Sequence, residues 1–133
     1  MQKQAVGFTL ISLAVVASLV YIALFSRGFF QPLFHCADEV KREVKSPTGA
    51  YIATFFERDC GATTDFAAHV NLRPSKAQFD GRQFSSVLVI KGRPEIDLEW
   101  KDDSRLSISY SGGSQIYKKL DSWNAVHISY SSR

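Results

Sequence analysis

The chain has 133 residues, of which 45% are hydrophobic and 22% charged, and its formal net charge is +3. That length leaves room for one small domain. Lys3 and Arg27 precede residue 36, so the rest of the chain carries 14 basic against 13 acidic residues, with no basic run longer than two. This near-neutral balance excludes the basic patch typical of nucleic-acid-binding proteins.

The N-terminal segment Ala5–Phe25 holds 21 residues without a charge. As a helix it would be about 31 Å long, which matches the hydrocarbon thickness of a bilayer. Lys3 precedes the segment and Arg27 follows it, and the basic N-terminus favours a cytoplasmic start. We therefore predict an uncleaved signal-anchor at residues 1–28, with residues 5–25 in the lipid bilayer and the C-terminal part outside the cytoplasm.

Two other interpretations of this N-terminal segment stay open. A cleaved signal peptide would need a small-x-small exit, which Ala23-Leu24-Phe25-Ser26 lacks because Phe25 is bulky. A lipoprotein would need a small residue before its cysteine, where this chain has His35 before Cys36. Residues 29–36 form a juxtamembrane linker, whose phenylalanines suit the membrane interface or pack under the next domain.

Cys36 and Cys60 are the only cysteines, and both follow the predicted anchor. An even count in an oxidising compartment predicts one disulfide, which would join the end of the linker to the end of a strand. A redox-active or metal-binding pair is the alternative, but the C-x-x-C spacing typical of such pairs is missing.

The first predicted hairpin begins at Ala37–Lys45, where a polar strand and a helix are both compatible with the spacing of the valines, and we favour the strand. Ser46–Gly49 is typical of a turn, because proline presets φ and glycine tolerates positive φ. Ala50–Phe56 is β-branched and aromatic, with apolar side chains on both faces. Such a strand is predicted to be central and covered on both sides.

Further strands follow from alternating or continuous apolar patterns. They are predicted at Phe66–Arg73, Phe84–Lys91, Ile96–Lys101, Leu106–Tyr110, Gln115–Tyr117 and Val126–Tyr130. The fold class is therefore all-β: residues 37–133 form one small antiparallel domain of six to eight short strands, arranged as a meander or sandwich.

Two motifs carry a resemblance to known proteins. Ser46–Thr64 contains S-P-x-G-x-Y-x-A-x-x-x-x-R-D-C-G-A-T-T, and Trp100–Tyr110 contains W-x-D-D-x-x-L-x-I-x-Y. Together these strings resemble a group of small, uncharacterised bacterial envelope proteins, across most of residues 36–130. The resemblance implies a bacterial inner-membrane protein with a periplasmic C-terminal domain, but it implies no activity.

Residues that could carry chemistry are few. His35, His69 and His127 are the only histidines, and the last two fall on the polar faces of predicted strands, as solvated histidines do. No serine lies in a nucleophile-elbow motif, and no glycine-rich phosphate loop or metal-ligand spacing is present. We therefore predict a non-enzymatic protein without cofactor or metal, and a hydrolase is the weakest alternative.

The loop after the central strand is the candidate binding loop, because loops on a rigid scaffold often carry binding. It combines an ion-pair-capable dipeptide, hydroxyl groups and a cysteine; the candidate residues are Arg58, Asp59, Gly61, Thr63, Thr64 and Asp65. The competing interpretation is structural: these groups would satisfy one another in a tight turn.

These observations favour a membrane-anchored module that binds a protein partner in the envelope, as an immunity protein or an accessory subunit would. The alternative is a sensor of a small ligand or envelope component, with its pocket between the sheet and the Cys60 loop.

Overall fold

The computed structural model describes residues 13–23, 36–113 and 115–133. The chain divides into two compact units, Met1–His35 and Cys36–Arg133. In the first unit, residues 13–23 are α-helical. Nowhere in the described ranges is there a helix with both the length and the apolar character needed to cross a bilayer. Most of the predicted anchor and all but the last residue of the linker lie outside those ranges, so both stay predictions.

The second unit is built from nine strands, and these are all the strands found in the described residues. They are β1 (Ala37–Lys45), β2 (Tyr51–Asp59), β3 (Ala67–Pro74), β4 (Ser86–Lys91), β5 (Glu95–Asp102), β6 (Arg105–Ser111), β7 (Ile116–Lys119), β8 (Ser122–Trp123) and β9 (Val126–Ser132). The all-β prediction is confirmed, with one strand more than the predicted maximum of eight.

The first sheet has five strands in the order β1-β2-β3-β4-β7, and all neighbours are antiparallel. β1 and β2 form the predicted hairpin. Its turn is closed by the Gly49 N–H, which donates to the Ser46 carbonyl at 2.8 Å. Gly49 has φ 75°, a conformation that glycine adopts at little cost.

The second sheet has four strands in the order β5-β6-β9-β8. β5 and β6 form an antiparallel hairpin, but β9 pairs with β6 in parallel. The prediction of a purely antiparallel domain is therefore wrong at this pair. Between β6 and β9 the chain crosses to the first sheet, where β7 pairs with β4. The chain then returns to the second sheet, where β9 runs beside β6 in the same direction.

The two sheets share one hydrophobic core, so the sandwich alternative is the correct one. Side chains from the inner faces of both sheets are buried together: Ala53, Phe55, Ala68, Val70, Leu72, Val87, Leu88, Ile90, Ile96, Leu98, Leu106, Ile108, Val126 and Ile128. Half-buried aromatic rings, including Trp100 and Trp123, close the margin of this core.

β2 is covered on both faces, as predicted. Five consecutive residues, Ile52–Phe56, are buried, although only Ala53 and Phe55 belong to the core between the sheets. On the outer face, the Phe56 ring packs edge-on against Phe79 at a centroid distance of 5.1 Å. The irregular segment of residues 75–85 therefore forms a second, smaller layer over the first sheet.

Candidate functional site

The Cys60 loop begins where β2 ends, and the predicted disulfide between Cys36 and Cys60 is present. The bond joins the residue before β1 to the residue after β2, which are neighbours because Ala37 pairs with Asp59 in the hairpin. One end of the first sheet is thus closed covalently.

Arg58 is occupied within the domain. Its guanidinium donates to both carboxylate oxygens of Asp38, at 2.6 Å from Nε and 2.7 Å from Nη2. These hydrogen bonds raise the pKa of Arg58, against the opposing effect of its burial. A Cβ built on Gly81 of the covering segment would overlap the Asp38 carboxylate, so the segment packs directly on this ion pair.

The rest of the candidate loop forms a compact turn. Asp59 Oδ1 accepts the Gly61 N–H at 2.9 Å, and the Gly61 carbonyl accepts both the N–H and the hydroxyl of Thr64. Asp65 forms an ion pair with Lys91 at 2.7 Å, and its hydrogen bond raises the pKa of Lys91. Thr63 is exposed. Only the contacts of Asp59, Gly61 and Thr64 are local, as the structural interpretation expects, whereas Asp65, like Arg58, pairs with a residue of another strand. A binding role of the loop stays a prediction.

His69 lies on the outer face of the first sheet, and the prediction that it is a solvated surface residue is wrong. It is half-buried, stacks on Phe56 with ring centroids 5.0 Å apart and shares a 3.0 Å hydrogen bond with Ser86 Oγ. Burial lowers the pKa of His69 to about 4, and the nearby Arg58 acts in the same direction while Asp38 opposes it. Alternation identified the face correctly but not the burial of the side chain, which the contacts with Phe56 and Ser86 accompany.

The depressed pKa of His69 predicts a specific loss of stability in mild acid. Between pH 6.5 and about 4 the unfolded chain takes up a proton on this residue that the folded chain does not, so stability falls as the pH falls. With a discount for partial exposure, we expect a decrease on the order of 1 kcal/mol between pH 7 and pH 5. Urea unfolding at the two pH values measures it.

His127 supplies the control for that experiment, because its side chain is exposed on β9. His69→Gln should shrink the difference between pH 7 and pH 5, and His127→Gln should leave it as in the parent chain. Equal effects of the two substitutions would contradict the assignment to His69.

The most apolar exposed stretch of the second unit lies at the free edge of the first sheet. We call Ile116–Leu120, which comprises β7 and the residue after it, the β7 edge. Ile116 is 42%, Tyr117 54% and Leu120 39% exposed. Lys118 and Lys119 lie between them, and β7 pairs only with β4 among the described residues.

The opposite edge of the same sheet has a different character. β1 reads ADEVKREVK, and its register with β2 is interrupted by a bulge between Val40 and Arg42. Charged side chains and bulges are devices that keep edge strands from pairing with other chains. β7 has two lysines but lacks the mixed charge pattern of β1.

A depression of about 270 Å³ lies on the outer face of the second sheet. Its lining residues are Arg42, Asp97, Leu98, Glu99, Ser107 and Ser109. None of them belongs to the Cys60 loop, beside which a ligand pocket was expected. Sequence reasoning missed this depression because its residues come from β1, β5 and β6, which no single spacing pattern connects.

No protein-family model, curated protein or solved structure matches the chain. The resemblance to the small envelope proteins therefore stays a prediction based on the two motifs. In the part of the chain that the structure describes, no three His, Cys, Asp or Glu side chains are grouped to hold a metal ion.

Proposed function

We propose that the chain is a non-catalytic protein-interaction module, anchored in a bacterial inner membrane and displaying its β domain in the periplasm. In this proposal it acts as an immunity-like protein or an accessory subunit. The β7 edge is the observation that carries the proposal, since it combines exposed apolar side chains with a strand that has one free side.

The partner we expect is an extended segment that adds to the first sheet as a sixth strand. Such additions gain affinity from main-chain hydrogen bonds and specificity from alternate side chains. Tyr117 and Ile116 offer large apolar contact surfaces, while Lys118 and Lys119 favour acidic side chains on the incoming strand. We therefore assign the partner to proteins that present an acidic strand with interspersed apolar residues.

Photocross-linking in intact cells tests this proposal. A photoreactive phenylalanine analogue placed at Tyr117 of the full chain is expected to give one discrete protein adduct. Peptide mapping should locate the adduct in a segment that contains Asp or Glu. Lys118→Glu combined with Lys119→Glu should reduce the adduct about tenfold, because like charges then meet across the interface.

The matched control places the same analogue at Val40, which is 42% exposed on the opposite edge strand. It should give no adduct of that mass. The proposal fails if both positions capture the same species, if position 117 captures only lipid, or if the charge-reversed chain cross-links as well as the parent.

A further inference from the structure

The depression on the second sheet is built from paired hydroxyl and carboxylate groups. The register of the β5–β6 hairpin sets Asp97 opposite Ser109 and Glu99 opposite Ser107. Each carboxylate therefore has a serine hydroxyl beside it on the same face, and the depression of about 270 Å³ extends over these two pairs.

One wall of the depression is fixed by two arginines. Arg133 Nη2 donates to Asp97 Oδ2 at 2.6 Å and to Ser109 Oγ at 2.7 Å, while Arg42 pairs with the other carboxylate oxygen. Arg42 comes from the first sheet and Arg133 from the C-terminus, so three parts of the chain meet at Asp97. These contacts lower the pKa of Asp97 and keep its carboxylate ionised, and the hydrogen bond from Arg133 has the largest effect.

Other polar groups of the depression remain available. Glu99 is 68% exposed at its side chain, and its Oε1 pairs with Lys101 at 2.6 Å, while no described residue pairs with its Oε2. Among the described residues, no protein group hydrogen-bonds to the Ser107 hydroxyl. Arg42 keeps N–H groups beyond the one that contacts Asp97. The depression thus offers a ligand both hydrogen-bond acceptors, from Glu99, and donors, from Arg42 and Ser107.

The charge and polarity of this lining limit the ligands that it suits. The lining carries one guanidinium group, from Arg42, and two carboxylates, from Asp97 and Glu99. An anion would therefore meet two carboxylates, whereas a cation would meet carboxylates that are already paired with basic side chains. Leu98 is the only apolar residue in the lining and is 4% exposed, so a hydrophobic ligand would gain little. Adjacent hydroxyl groups, in contrast, can donate to a carboxylate and accept from a guanidinium or a serine.

We propose that this depression binds a neutral, polyhydroxylated ligand of about one sugar ring, with Glu99, Ser107 and Arg42 as its direct hydrogen-bonding partners. Asp97 and Arg133 position Arg42 and Ser109. The site shares no residue with the β7 edge, so sugar binding and partner binding can be lost separately. The ligand is either a free sugar or the terminal ring of an envelope glycan.

Saturation-transfer NMR on the full chain in nanodiscs tests this assignment, with glucose, N-acetylglucosamine and maltotetraose as probes. A contact set of this size supports a dissociation constant of about 1 mM. Glu99→Gln removes a charged acceptor and should weaken binding about tenfold or more. Binding of the monosaccharides would indicate a free sugar, and binding of maltotetraose alone would indicate a glycan chain.

Glu95→Gln is the matched control, because Glu95 lies on the same face of the same strand, is exposed and does not line the depression. It should leave binding unchanged. The assignment is overturned if none of the three probes shows transfer at tens of millimolar. It is equally overturned if Glu95→Gln weakens binding as much as Glu99→Gln, or if Glu99→Gln has no effect.

Discussion

Cys60→Ser is expected to lower the melting temperature of the β domain by roughly 15–25 °C. The disulfide to Cys36 closes a loop with a sequence separation of 24, which the chain-entropy model values at about 3–4 kcal/mol. That is a large share of the total stability of a small domain, which is typically about 5–15 kcal/mol.

The position of the disulfide explains why it contributes so much to the stability of the domain. β1 is an edge strand with mostly exposed side chains, and its only neighbour in the sheet is β2. Few buried apolar groups therefore hold its first residues in place. The disulfide fixes the start of β1 to the end of β2, so its loss should release β1 before the core opens.

Thermal unfolding of the full chain, followed by the β-sheet circular dichroism signal with and without reductant, measures this effect. Cys36→Ser combined with Cys60→Ser should melt at the same temperature as Cys60→Ser alone. That equality would assign the loss to the bond and not to a free thiol. Equal melting temperatures of the oxidised and reduced parent chain would refute the prediction.

The hairpins could be predicted from sequence because their signals are local. Ser46–Gly49 is a turn signal between β1 and β2, and only two residues separate β5 from β6, so both pairings follow from the sequence. The register does not follow in the same way, because each hairpin contains a bulge, between Val40 and Arg42 and between Trp100 and Asp102. The buried pattern of Ala50–Phe56 likewise identified the central strand, because a strand with apolar groups on both faces needs two covers.

The pairings between distant strands could not be predicted in this way. The parallel contact of β6 with β9 depends on where the chain goes between them, and β8 has only two residues, too few to show alternation. No strand was predicted between Tyr117 and Val126 for that reason, although this stretch contains the end of β7 and the whole of β8.

The candidate sites, too, could be predicted only where their residues are adjacent in sequence. The Cys60 loop could be identified because its residues are adjacent in sequence. Asp97, in contrast, becomes part of a site only through its ion pairs with Arg42 and Arg133, which lie 55 and 36 positions away. The β7 edge appeared in the sequence as a short strand of uncertain extent. Its exposure follows from its place at the end of the sheet order, which alternation does not encode.

Phe56→Ala is expected to destabilise the domain by about 3–5 kcal/mol. The Phe56 side chain is fully buried, yet it lies outside the core between the sheets. Its ring contacts those of His69 and Phe79, and the Arg58 guanidinium lies 5.5 Å from its centroid. Removing the ring should therefore loosen the covering segment of residues 75–85 as well as create a cavity.

Tyr117→Ala is the control, because it truncates an aromatic residue that is 54% exposed on β7 and should change stability by no more than about 0.5 kcal/mol. A second readout separates the outer layer from the core. If Phe56 holds the cover over His69, Phe56→Ala should admit water and raise the pKa of His69 from about 4 toward 6.5, as NMR titration would show. An unchanged pKa with a full loss of stability would mean that Phe56 supports the sheet but not its cover.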